Sequence, residues 1–429
     1  MLGSLKGKLA AMRYADVLKA SLLSFVVRIL GALAGFAATF FVARSLGAEE
    51  SGYYFLAFSI ISILATVSRL GMDNTLIRFV GAGQADGGGV LAKAVLASGI
   101  FSLVIAFLLF LLSGFLANSL FHKPELESVL GSMSLGVVGL ALFTLSANAL
   151  QGLHRVTASI FILNICVNLL LILAVLGGFV LNAGELARFY SSAAILTALL
   201  GITLFWWFKP KASSAAEPWS VIWTSCLPLW TVMIMGQLVQ WSGQFIAGAY
   251  VSSELVAQLA VAQRTAMLAS FVLIAVNLVV APRFAALHRQ GDMAGLESLA
   301  IMSVKLIGVM ALPVVSVMLV FPGWLMGLFG EGFIDGSKLL QILAVGQFIN
   351  AITGSVGYLL MMSGHERDMR NVTLISGSMA LLLTWFFTVS FGATGNAAGT
   401  AIAVATQNLL AVYFVKKRLG FNTLAIWRR

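Results

Sequence analysis

The sequence predicts an all-α polytopic membrane protein with twelve transmembrane helices in two six-helix lobes. Three observations carry that reading. The 429 residues are 60% hydrophobic and only 10% charged, with a mean hydropathy of +0.99. Soluble domains carry about 25% charged residues, so this chain has too few polar side chains to clothe a water-facing surface. Apolar runs of roughly 18 to 25 residues recur from end to end, the length a helix needs to cross about 30 Å of hydrocarbon. The runs are continuous and not alternating, which excludes a barrel. Finally, the two halves of the chain resemble each other at matching places.

In order, the spans are predicted over about 18–44, 52–81, 90–117, 127–151, 156–181, 186–208, 219–248, 254–286, 296–328, 337–362, 370–391 and 395–415. Lys6, Lys8, Arg13 and Lys19 precede an apolar run of about 25 residues, too long for the core of a secretory signal, so a retained first helix is expected. No gap between spans exceeds about a dozen residues, which leaves no room for an extramembrane domain. The longest polar connection, "KPKASSAAEP" from Lys209, follows the sixth span. It divides the chain into an N-lobe (1–208), a cytoplasmic linker (209–218) and a C-lobe (219–429). "FVARSLGAEESGYYFLAF" from Phe41 lies beside "FIAGAYVSSELVAQLAV" from Phe245, and "QGLHRVTASIFILN" from Gln151 beside "MSGHERDMRNVTLIS" from Met362, with His154 against His365. Six spans per half in one orientation describe a parallel repeat, a plan in which transporters place substrate between the halves. Pro228 and Pro313 are expected to kink their helices.

Lys and Arg collect on the side of the termini, as with Arg78, Lys93, Arg155, Arg283, Arg289, Arg367, Arg370, Lys416 and Lys417, whereas the other side offers little beyond Arg44, Lys123, Arg188 and Lys338. Both termini are therefore predicted to be cytoplasmic. The net charge of +10 reflects this bias. It calls for contact with membrane lipid and needs no nucleic acid. Cys166 and Cys226 sit inside apolar runs and read as free thiols. No metal-spaced His/Cys cluster and no P-loop is present, and the outer loops are short for a glycan polymerase or ligase. No enzyme activity, metal or cofactor is expected.

The functional information then lies in polar residues on the spans. Arg28 and Arg264 each sit about ten residues into a helix, roughly 15 Å deep, where a charge costs at least about 2.5–3.5 kcal/mol on insertion scales. Each either snorkels or faces an aqueous cavity. Arg69 lies farther along its span, with Asp73 one turn on as an ion-pair or coupling partner. That pair fits a tied-down helix end as well as a cavity site. Gln237, Gln240, Trp241 and Gln244 follow the i, i+3, i+4, i+7 pattern of one helix face. Three amides facing lipid would go unsatisfied, so the stripe is expected to contact either sugars or neighbouring helices. Asn164, Asn168, Gln347 and Asn350 repeat the theme and read as helix-to-helix glue.

Two stretches carry a family resemblance: "FFVARSLGAEESGYYFLAFSIISILATVSRLGMDNTLIRFVGAG" from Phe40, and "MMSGHERDMRNVTLISGSMALLLTWFFTVSFGATGNAAGTAIAVATQNLLAVYFVKKRLG" from Met361. They resemble the Wzx-type O-antigen and polysaccharide flippases of the MOP superfamily, which also holds MATE drug exporters and lipid II flippases. The resemblance implies two six-helix lobes around a central cavity. It also implies transfer of a polyprenyl-diphosphate-linked oligosaccharide to the periplasmic leaflet of a bacterial inner membrane, in O-antigen or lipopolysaccharide assembly alongside other glycan-assembly proteins. In related lipid-linked-sugar flippases, basic residues on the first, second and eighth helices meet the diphosphate, which by helix and depth corresponds here to Arg28, Arg69 and Arg264. Coupling to H+, Na+ or membrane potential stays open. The alternatives are a MATE-like small-molecule antiporter and a lipid II flippase.

Overall fold

The computed structural model describes residues 2–82, 87–209 and 217–425, with the backbone alone described for 2–25, 82, 228, 232 and 278. Most of the predicted linker therefore lies outside the described residues. The elements run α1 (Leu2–Ser68), α2 (Met72–Ala82), α3 (Gly87–Phe115), α4 (Leu126–Gly152), α5 (Val156–Ile160), α6 (Val167–Leu176), α7 (Ala183–Phe208), α8 (Trp219–Tyr250), α9 (Ser253–Ala266), α10 (Ser270–Gln290), α11 (Met293–Val320), α12 (Pro322–Gly327), α13 (Ser337–Thr353), α14 (Val356–Met362) and α15 (Glu366–Leu419). Among the described residues there is no β-strand. Wide π-helical turns extend α3 over Leu116–Leu120 and join α5 to α6 over Phe161–Cys166.

Among the described residues, eight helices are long and apolar enough to cross a membrane, or up to ten if each of two bent pairs is one span. Two of the eight are far longer than one crossing: 43 residues from Val26 and 54 from Glu366, against about 20 for a bilayer. Each contains a glycine with non-helical angles, Gly47 (φ 78°, ψ 179°) and Gly392 (φ 61°, ψ −143°). With no Cβ, glycine reaches these angles without steric cost. The chain doubles back at both. Beyond Gly392, Asn396 Nδ2 reaches Thr388 Oγ1 at 2.9 Å and Gly399 lies against Thr384. Around Gly47, Thr39 and Phe55, equally far on either side, touch the same guanidinium of Arg264. Two such hairpins and the two bent pairs are consistent with the twelve spans predicted.

Packing is arranged for lipid. On α3 the buried face is a ladder of small and hydroxyl residues, Ala94, Ser98, Ser102, Ala106 and Ser113, set against α4. Ser102 and Ser113 donate to carbonyls of their own helix, so no polar atom needs water. The opposite face carries Leu103, Phe107 and Phe110, with Phe107 62% exposed. Helix α4 packs on α3, α7, α1 and α2, and its buried residues belong to the larger apolar core. A second core joins α10, α11, α14 and α15 through Phe284, Ile307, Leu360 and Val415.

The internal repeat has a structural counterpart. The α4–α5 loop closes with Leu153 N–H to Ala149 O (3.1 Å), His154 N–H to Gln151 O (2.9 Å) and Arg155 N–H to Leu150 O (3.0 Å). The α14–α15 loop closes identically with Ser363 to Leu359 (3.0 Å), Gly364 to Met361 (3.3 Å) and His365 to Leu360 (2.9 Å). These bonds set His154 (φ 59°) opposite Gly364 (φ 79°), one residue away from the sequence-based pairing with His365. The left-handed position of the turn fixes the register, and the shared histidine letter does not.

Segments of the two halves meet at both ends of the limb of α1 that follows Gly47. Near one end Gly52 packs directly on the Ser253 carbonyl. There Lys123, only 8% exposed, donates to Gly248 O (2.6 Å), Val251 O (2.8 Å) and Phe121 O (3.3 Å). Near the other end the Trp230 indole donates to Val67 O at 3.0 Å.

Candidate functional site

Two adjoining cavities open along α1, α8 and α9. The smaller, about 440 Å³, is lined by Thr39, Tyr54, Phe55, Phe58 and Arg69 of α1 and its C-terminal turn, by Asn164 and Asn168, by Tyr190 of α7, by Gln237 and Gln240 of α8 and by Arg264 of α9. The larger, about 720 Å³, lies between the limb of α1 before Gly47 and the helices α8, α9, α10, α13 and α15. Phe58, Asn164, Asn168, Gln240 and Arg264 line both. They form a partition, and the two cavities are compartments of one space.

The residues on the walls follow from helix periodicity. Tyr54, Phe58 and Ser62 fall on every fourth position of one α1 face. The Gln237, Gln240, Trp241, Gln244 stripe is brought to the cavities whole: Gln237 and Gln240 line the smaller, and Gln240, Trp241 and Gln244 the larger. Trp241 packs edge-on against Phe58, with ring centroids 5.3 Å apart. Its indole Nε1 and the Gln244 Oε1 are buried without a hydrogen-bond partner among the described residues. A buried donor and a buried acceptor that lack partners cost about 1–3 kcal/mol each. Both residues line the larger compartment, while these two atoms themselves are buried beneath its surface.

The predicted cations separate. Arg264 donates to Thr39 Oγ1 and lies over the Phe55 ring at 5.0 Å, one turn before α9 breaks into the 3-10 turn Met267–Ala269. Arg69 reaches the smaller compartment from the end of α1, with Nε 2.9 Å from Asp73 Oδ1 and one terminal nitrogen 3.0 Å from Thr66 Oγ1. Asp73 in turn accepts from Asn148 Nδ2 at 2.9 Å. Arg28 is exposed and lines neither compartment, although Gly31, Ala32 and Gly35 just beyond it line the larger. The structure thus brings Arg69 and Arg264 together and leaves Arg28 apart. Neither compartment counts an Asp or Glu among its lining residues.

Three of the four residues that read as helix glue have a second face here. Asn164 and Asn168 line both compartments and Gln347 the larger. Gln347 Oε1 also accepts from Ser270 at 2.6 Å and from Asn350 at 3.3 Å, so the glue reading holds for it as well. Gln263, Thr400 and Gln407 add to the polar lining of the larger compartment, with the hydroxyls of Ser242, Ser376 and Thr384. They stand singly in their helices, and only the neighbouring helices reveal the face.

A family model described as "Polysaccharide biosynthesis protein" matches residues 17–288, well over half of the chain. The chain belongs to that polysaccharide biosynthesis family. A relative is the probable low-salt glycan biosynthesis flippase Agl15 of Haloferax volcanii, 24% identical over 423 residues that cover 93% of this chain and 84% of that protein. Among solved structures, the fold is similar to the lipid II flippase MurJ in an inward closed conformation (TM-score 0.77, 14% identity, 92% of this chain and 87% of that one). It is also similar to an inward-facing multidrug resistance MATE transporter of the MOP superfamily (TM-score 0.74, 15% identity, 93% and 98%). This member of the polysaccharide biosynthesis family is thus a multi-pass, all-helical membrane protein with a MOP-type fold. Both compartments lie largely within the matched residues, and the α13 and α15 walls of the larger fall beyond them.

Proposed function

We propose that this protein is a flippase for a polyprenyl-diphosphate-linked oligosaccharide, working by alternating access in a bacterial cytoplasmic membrane. The observation that supports it is the electrostatic character of the partitioned space: two arginines and no carboxylate on its lining. Guanidinium groups match phosphate geometry and stay charged. The smaller compartment takes the diphosphate between Arg69 and Arg264. The larger takes sugars along Gln240, Trp241 and Gln244, a polar stripe with an aromatic ring, which suits the hydroxyls and the apolar face of a sugar. The prenyl tail stays in lipid. The N-lobe and C-lobe then rock about the site, with both termini on the cytoplasmic side. No cofactor is invoked, and an ion gradient or the membrane potential supplies the drive.

Arg264→Ala tests this reading. In proteoliposomes carrying a prenyl-diphosphate sugar, flipping is expected to fall at least tenfold, in line with about 1.5–3 kcal/mol for hydrogen bonds to a charged group. A MATE-like exporter of cations would keep or gain activity on losing that positive charge, and such a result rejects the proposal.

A further inference from the structure

The two arginines of the smaller compartment are held differently. Arg264 faces a hydroxyl and an aromatic ring, neither of which carries a charge. Arg69 arrives with its charge already matched. Its Nε sits 2.9 Å from Asp73 Oδ1 and 3.1 Å from Oδ2, and Nη2 donates to Thr66 Oγ1 at 3.0 Å. Among the described residues its remaining nitrogen, Nη1, has no partner. Asn148 on α4 holds Asp73 from the far side through Oδ1. Arg69 and Asp73 are 8% and 5% exposed, so neither charge can turn to bulk water when the pair opens.

The backbone around the pair is fixed. Leu70 (φ 54°) and Gly71 (φ 74°) turn the chain between Arg69 and Asp73. Gly71 is pressed against the backbone of Cys226 and Trp230, where a Cβ would collide. Any exchange of partners at Arg69 is therefore a movement of side chains.

We propose that Asp73, backed by Asn148, is a resident competitor for Arg69. It positions the guanidinium at the compartment wall and yields it only while an anionic group of the substrate is present. The inference rests on the diphosphate reading above. Asp73 itself meets no substrate; it is a positioning residue that acts through Arg69. Its consequence is weaker binding and faster release. That suits a carrier, which has to let go on one side of what it took up on the other, and in which release often limits turnover.

The test uses the purified full chain in nanodiscs titrated with inorganic pyrophosphate, together with flipping of a short-chain prenyl-diphosphate sugar in proteoliposomes. Asp73→Asn keeps an oxygen for Arg69 and removes the charge. It is expected to bind pyrophosphate at least fivefold more tightly while lowering both KM and kcat for flipping. Asn148→Ala is expected to move both in the same direction by a smaller factor, and it carries the test if Asp73→Asn does not fold. Asp73→Glu, which keeps the charge, is expected to return both values toward wild type. A purely structural role would lower stability and leave pyrophosphate affinity unchanged or weaker. If Asp73→Asn and Asn148→Ala do that while Arg264→Ala abolishes pyrophosphate binding, the competitor role is overturned and the diphosphate reading stands. If the wild type binds no pyrophosphate, both fall together.

Discussion

Gln240 shows how a single side chain is shared. It lines both compartments from the middle of α8, next to Arg264 on the partition. Gln240→Leu keeps the volume and removes the amide. It is expected to raise KM for a glycan-bearing lipid about fivefold, the equivalent of one lost hydrogen bond near 1 kcal/mol, and to leave pyrophosphate affinity unchanged. Flipping kinetics on lipids with one and with several sugars check this. The α8 stripe was legible because helical spacing alone puts its four members on one face. Arg28 was legible only in part: counting residues gives its depth along the helix, but not the direction in which that face points. Asn164 was obscured for another reason. It sits in the π-helical stretch Phe161–Cys166, which alters the angular spacing between a residue and its neighbours by an amount that apolar sequence does not announce. Asp73 was legible as a partner of Arg69 from the i, i+4 spacing. Asn148, which comes from a distant part of the chain, was not.

At the scale of elements, the sequence reading placed breaks between spans at 44–52 and 391–395. The helices fold back there at one glycine each, Gly47 and Gly392. The second span was read as continuous over 52–81, and it is broken at Leu70 and Gly71. A single glycine in a long apolar run is a weak signal, and the tight seat against Cys226 and Trp230 that requires it is tertiary. Gly71→Ala is accordingly expected to destabilise by more than the roughly 1 kcal/mol of a lost left-handed glycine, because the added carbon also meets backbone. Thermal unfolding in detergent measures it.

Lys123 is the other element-scale contact, an ammonium closing the C-terminal end of α8. Removing its donors in Lys123→Met leaves last-turn carbonyls bare, and a loss of about 1–3 kcal/mol is expected. Burial pushes the Lys123 ammonium below the ordinary lysine range. The unfolded chain then holds this proton more tightly than the folded one. The burial penalty is therefore present in full below the lowered value, and stability gains as pH rises from there toward about 10.4. Unfolding scans at pH 8 and pH 10 are expected to show that gain in wild type and its absence in Lys123→Met.

For the whole molecule, the composition and the recurring apolar runs made the all-helical membrane fold legible, and the charge bias predicts both termini on the cytoplasmic side. Ser213→Cys, in the predicted linker, is expected to react with a membrane-impermeant thiol reagent in inside-out vesicles and not in intact cells or right-side-out vesicles. Cys166 and Cys226 are both buried and free, so background labelling is low. Labelling of intact cells would reverse the predicted topology. The cavity was not legible as a shape, since each helix contributes only a few residues and the compartments exist only where α1, α8 and α9 converge.

The ion pair at Arg69 also sets the electrical character of the proposed cycle. With Arg69 matched by Asp73, the empty site carries one unbalanced positive charge, that of Arg264. Filled by a diphosphate, the same site turns negative. In a membrane that is negative inside, the loaded site is pushed outward and the empty site is pulled back inward, each by about 2.3 kcal/mol per charge for every 100 mV of field it crosses. Both strokes then run downhill in the same field. Replacing Arg264 would strip the return stroke of its charge, and voltage dependence of the empty site would vanish even where substrate still binds.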